Sequence, residues 1–225
     1  MPYLRGEKQE QEQTHMISLS EILHTIAQAL MIPCLIILII LMAGAVWQIG
    51  DIVVEYIAER RKHKCNVPQL LRDVHAEGAD GLAELIENSG LLRRQKKALL
   101  ELAESRGLPK DTLTALAERL LATEEARNAR TTSITDMIAK LGPMFGLLGT
   151  LIPLGPGIVA LGQGDTVTLS ESMNVAFDTT IAGVISAAVA SVISHIRKRW
   201  YNDDMVSLET LMEAVLEEVT SDVEG

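Results

Sequence analysis

LGPMFGLLGTLIPLGPGIVALG, residues 141–162, carries no charge over 22 residues. A short polar run follows, QGDTVTLSESMN (163–174), and then VAFDTTIAGVISAAVASVISHI (175–196). Two apolar stretches rich in Gly, Ala, Ser and Thr are thus joined by a link too short to hold a domain, the pattern of a transmembrane hairpin. Toward the N-terminus a further uncharged run, Ala29–Trp47, has 19 residues, and about 20 suffice to cross a bilayer core as a helix. Pro33 lies near its start, where a kink is tolerable, and Trp47 near its end, at the interfacial position.

The totals agree with a membrane protein. Hydrophobic residues make up 48% of the 225, aromatics only 3%, and the apolar content is gathered into a few runs rather than spread through a soluble core. A formal charge of −10 argues against a nucleic-acid partner, which would need a basic face. Cys34 sits in an apolar run and Cys65 in a basic one, so no disulfide is implied. About two dozen mixed polar residues precede the first apolar run, unlike a short basic leader.

The expected fold is all-α, an integral membrane protein with three transmembrane helices, long helices extending into the cytoplasm and a cytoplasmic helical loop. Its parts are a 1–28 extracytoplasmic segment, a first span at 29–49, a 50–137 helical domain, a 138–196 hairpin and a 197–225 amphipathic tail. Ser18 and Glu21 have capping-box spacing, which starts a helix near Ser18. Turns are expected at Gly78–Gly81, Ser89–Gly90 and Gly107–Pro109. Leu92, Leu99, Leu102 and Ala103 share one helix face, and Leu113, Leu116 and Leu120 another. That last helix has no break before Gly142–Pro143, so one long helix should enter the membrane, with Pro143, Pro153 and Pro156 bending or interrupting it. The last span is expected from around Ser172 to His195. The tail places Leu208, Leu211, Met212, Val215 and Val219 on one side. Fifteen Lys and Arg lie between Arg60 and Lys140, three follow His195 and none lies in the 163–170 link. Positive charge stays inside, so the large loop and the tail are placed in the cytoplasm and the N-terminus outside.

Small residues recur four apart in the last span: Ala182, Ser186, Ala190 and Ser194, beside Gly183, Ala187 and Ser191. Gly142 and Gly146 have the same spacing, with Gly149 beyond. Such rows let helix backbones approach closely, either within one hairpin or between copies in a homo-oligomer. Thr150, Thr179 and Thr180 have two readings. A membrane threonine commonly bonds the carbonyl one turn back, or its hydroxyl, donor and acceptor at once, lines an ion path. Asp178, with apolar and hydroxyl neighbours, is either hydrated near the outer interface or an ionisable site facing a cavity or a partner helix. Asp136 reads as a solvated interfacial charge. His63, Cys65 and His75 fit no standard metal spacing, and the surrounding basic residues repel a cation, so neither metal nor cofactor is expected. Phosphate loop, nucleophile elbow and metalloprotease helix are all absent from the sequence, which points away from an enzyme.

These residues resemble the MotA/TolQ/ExbB proton-channel family. GPMFGLLGTL (142–151) is similar to that family's Gly-Pro/Leu-Leu-Gly-Thr motif in the second-to-last span, and AFDTTIAGV (176–184) to its Ala-Leu-x-x-Thr-x-x-Gly motif in the last. The layout resembles the shorter TolQ/ExbB type. Thr150 matches the threonine after Leu-Leu-Gly, and Thr180 the last-span threonine three before Gly183. TolQ and ExbB carry a last-span glutamate where this chain has Val175; its carboxylate is Asp178, one turn later. The tandem Thr179–Thr180 is closer to MotA, which leaves proton or sodium open.

The resemblance implies a pentameric ring around a pore. Inside it would stand single-span partner subunits of the ExbD/TolR/MotB kind, each with an intramembrane aspartate. Ion flow past that aspartate and the ring threonines would drive a motor in the cell (inner) membrane. The competing expectation is a membrane scaffold whose helical loop and acidic tail recruit cytoplasmic proteins.

Overall fold

A computed structural model describes residues 21–57, 66–78 and 81–224. Among the described residues all regular structure is helical: α1 Met31–Glu55, α2 Val67–Glu77, α3 Leu82–Asn88, α4 Arg93–Glu104, α5 Lys110–Gly162 and α6 Thr166–Glu224. Residues 21–29 are helical as well and join α1 through a turn at Leu30. Pro33 explains the turn, because it has no N–H to offer and its ring crowds the carbonyl of Ala29. The expected helix start at Ser18 lies outside the described residues, as do Arg60, Arg61, Lys62, His63, Lys64 and Cys65.

Three helices are long and apolar enough to cross a membrane: Glu21–Glu55, Lys110–Gly162 and Thr166–Ser221. All of them outrun their apolar cores. At 1.5 Å per residue the 53 residues of α5 amount to about 80 Å of helix and the 59 of α6 to about 90 Å, against a hydrocarbon core of about 30 Å.

Of the two outcomes expected at Pro143, Pro153 and Pro156, bending or interruption, interruption does not occur, and α5 is continuous through all three; a spanning helix tolerates proline where neighbouring groups satisfy the freed carbonyls. The 197–225 tail is helical as expected, and it continues the helix of the last apolar run without a break at Arg197. The link between α5 and α6 is only residues 163–165, and α6 starts at Thr166 rather than near Ser172.

The early start of α6 has a local cause. Asp165 Oδ1 accepts the amides of Val167 and Thr168, and Oδ2 accepts the Thr168 hydroxyl at 2.6 Å. This is an N-cap, and Gly164 supplies the left-handed backbone before it, at φ 78°. The hydroxyl bond from Thr168, then the amides, hold the Asp165 carboxyl below the usual carboxylate range. A depressed pKa means that the cap contributes above the unfolded value and is lost as pH falls through the folded one. Asp165→Ala should therefore speed hydrogen exchange at the Val167 and Thr168 amides at neutral pH, and acidification should do the same to the native chain.

The chain divides into two compact units. The first takes the described residues of Met1–Val46 with Met137–Ala190. Its contacts are of membrane type. Leu41 and Ala45 pack with Ile138 and Ala190, flanked by Ile37, Phe145 and Val189, and the Cys34 thiol donates to the Phe145 carbonyl at 3.4 Å.

The second unit takes Trp47–Asp136 with Ser191–Gly225. It has an aqueous-type core. Leu70, Val74, Leu82, Ile86, Leu99 and Leu102 of the short helices close on Leu113 and Ala117 of α5 and on Leu208, Leu211, Met212, Val215 and Val219 of α6. Each fully buried leucine there contributes about 2 kcal/mol. The tail's apolar stripe is thus spent on the chain's own short helices.

Candidate ion-conducting hairpin

The seam between α5 and α6 in the first unit is made of backbone. A Cβ on Gly142 would lie 2.6 Å from the Gly183 carbonyl oxygen, and one on Gly183 would lie 2.5 Å from that of Gly142 and 2.9 Å from the Gly146 Cα. Gly149 faces the Thr179 side chain, whose Cβ would be 2.7 Å away. Ala187 lies against Gly142, and Gly157 against Ser172. At Gly142, Gly146 and Gly183 the two helices come together backbone to backbone, the close contact that holds helices together in lipid. Ala190 is fully buried and Ser186 is buried with its hydroxyl on the Ala182 carbonyl. Gly142, Gly146, Gly149 and Gly183 are thus occupied inside one hairpin, and an interface between copies would use other surface.

The threonine hydroxyls all bond to their own helices. Thr150 donates to Leu147 at 2.6 Å, Thr179 to Val175 at 2.9 Å or Ala176 at 3.0 Å, and Thr180 to Ala176 at 3.1 Å. Thr179 is buried in the seam, whereas Thr150 and Thr180 are half-buried and keep lone pairs available. Asp178 falls outside the seam. It is exposed, between Phe177 and Ile181 at 58% and 56% exposure.

The second unit holds a set of ion pairs at the apolar runs' other ends. Arg197, only 3% exposed, donates to Asp51 at 2.5 Å and to Glu55 at 3.1 Å. Asp136 accepts from Ser194 at 2.5 Å and from Lys198 at 2.6 Å. Asp136 is therefore paired, not merely solvated. Burial and the Glu55 charge push the Tyr201 phenol up to about 12. Sequence reasoning missed this set because it treated the charges at span ends as interfacial; the signal was Asp51 and Glu55, four apart on one helix face. His75 donates Nδ1 to the Leu71 carbonyl at 2.8 Å, and its Nε2 is 3.9 Å from Glu217. His63 and Cys65, its supposed companions, lie outside the described residues.

The family model of the MotA/TolQ/ExbB proton channel family matches residues 85–210. The chain belongs to this family. The match spans α4, the whole hairpin with both threonine motifs, and the first 14 residues of the 197–225 tail. With three candidate spans, this MotA/TolQ/ExbB chain is a multi-pass membrane protein of a family of ion channels that serve energy transduction in membrane complexes. No curated protein matches the chain significantly.

Proposed function

We propose that this MotA/TolQ/ExbB chain is the ring subunit of an ion-driven motor, a homo-oligomer and by resemblance a pentamer, enclosing a single-span partner with an intramembrane aspartate. Its N-terminus is outside and its C-terminus in the cytoplasm of the cell (inner) membrane, in keeping with fifteen Lys and Arg between Arg60 and Lys140 and none in the 163–170 link. The observation that carries this reading is Asp178. An exposed carboxylate among large apolar side chains is costly against lipid, so that face of α6 meets water, an ion or protein. Thr150 and Thr180, with Thr179 behind them, are the proposed hydroxyl lining. The scaffold reading gains nothing from the tail, whose apolar side is covered by the chain itself.

Thr180→Val keeps the shape and removes the hydroxyl. Ion-driven flux through the assembled complex in vesicles should fall at least about tenfold, as expected for a group that stabilises a passing ion by over 1.4 kcal/mol, with oligomer size unchanged. Undiminished flux refutes the lining role. Asp178→Asn separates a conducting carboxylate from a hydrated one: an unaltered ion dependence removes Asp178 from the path. Purification should recover a small single-span protein at less than one copy per subunit; a closed homo-oligomer without it favours the scaffold.

A further inference from the structure

Two buried side-chain atoms among the described residues have no hydrogen-bond partner, Gln48 Oε1 on α1 and Thr135 Oγ1 on α5. Gln48 is 6% exposed and Thr135 not at all. Buried polar groups cost free energy unless paired, so each such atom asks for an explanation. Thr135 differs from its neighbours on the same helix. Thr131 donates back to Arg127, and Thr132 to Asn128 or Ala129, whereas the Thr135 hydroxyl is not spent on its own helix.

Helix register brings the two atoms to one level. Cys34 bonds to Phe145, and a Cβ on Gly44 would meet Ile138 at 3.1 Å, so α1 and α5 run antiparallel. Four residues on from Gly44 is Gln48, and three back from Ile138 is Thr135. One to two turns further, about 5–11 Å along, Asp51 and Glu55 of α1, Asn128 and Thr131 of α5 and Arg197 of α6 line a cavity of about 420 Å³.

We propose that Gln48 and Thr135 hold bound water between α1 and α5, forming a hydrated chamber within a single subunit beside this open cavity. The donor and acceptor count fits water: the Gln48 oxygen accepts, the Thr135 hydroxyl does both, and a buried water needs two to four polar partners. The chamber is separate from the hairpin threonines, and the proposal stands or falls independently of ion conduction through them.

Water-edited solid-state NMR of the intact protein in bilayers tests it, with the Thr135 methyl assigned by its loss in Thr135→Val. The methyl should gain polarisation from water within about twofold of the rate at cavity-lining Thr131. A rate as low as that of the Leu99 methyls in the dry core overturns the chamber, whether the cause is dry packing or a direct Gln48–Thr135 hydrogen bond. Cysteine labelling gives a second reading in a Cys34→Ser, Cys65→Ser background. Thr135→Cys should react with a small hydrophilic thiol reagent within about tenfold of exposed Ser133→Cys. Reaction as slow as that of Leu99→Cys overturns the proposal. Neither readout depends on ion flux, so a hydrated Thr135 in a subunit that fails to conduct leaves the chamber standing and the channel reading refuted.

Discussion

Gly183→Ala should unseat the membrane hairpin. The new methyl would sit 2.5 Å from the Gly142 carbonyl oxygen and 2.9 Å from the Gly146 Cα. Both are backbone atoms, so no rotamer change relieves the overlap; the helices must separate. Overpacking costs about 1–3 kcal/mol and more when nothing can yield, and separation also forfeits the close backbone contact that holds the pair together in lipid. We expect a loss near the top of that range, read as a lower melting temperature in detergent and faster proteolysis of the 163–165 link. The size of the effect should follow the geometry. Gly142→Ala meets a carbonyl at 2.6 Å and should be nearly as severe. Gly149→Ala meets the Thr179 Cβ at 2.7 Å, where only the side chain has to shift. At Gly146 the nearest atoms are at 3.4 Å, an ordinary contact, and Gly155→Ala, with nothing within 4 Å, serves as the control. Equal melting of Gly183→Ala and Gly155→Ala would contradict the seam.

Arg197→Ala should be the most damaging single change in the second unit. Its guanidinium is buried and joined to both Asp51 and Glu55. The Glu55 side chain is 17% exposed and would be left as a nearly buried charge without its partner. Removing one member of a buried pair costs about 3–5 kcal/mol. Asp51 is 55% exposed and screened by water, so the lower end, about 3 kcal/mol, is expected. Lysine has no planar fork and should restore only part of this. Arg197→Met combined with Asp51→Asn and Glu55→Gln removes the charges together and should recover most of the stability. A triple variant no better than Arg197→Ala would mean that packing of the arginine stem, rather than its charge, is what matters.

Much of this was legible in the chain. The uncharged runs set the three spans, because length and the absence of charge are sufficient conditions for a helix to cross lipid. The periodic leucines of α4, early α5 and the tail marked the faces that are buried, because a helix has one apolar side to hide. The two threonine motifs pointed to the family, since they sit in order on the right spans.

Other features were not legible, for reasons that are specific to each. TVTLSES reads as a loop by its polar, β-branched composition, yet Asp165 caps it and it becomes the first turns of α6. Asp136 and Arg197 look like ordinary charges at span ends, and only their pairing with residues 58 or more positions away in sequence distinguishes them. The glycines illustrate the division most directly. Their spacing established that two helix backbones would approach closely, because a glycine presents no side chain to keep them apart. Which backbones those were depended on the fold: α5 and α6 of one chain meet through Gly142, Gly146 and Gly183, and that leaves Asp178 on the opposite, exposed side of its helix. A residue four places away on a helix is placed by periodicity; a partner on another helix is placed only when tertiary packing sets the register between them.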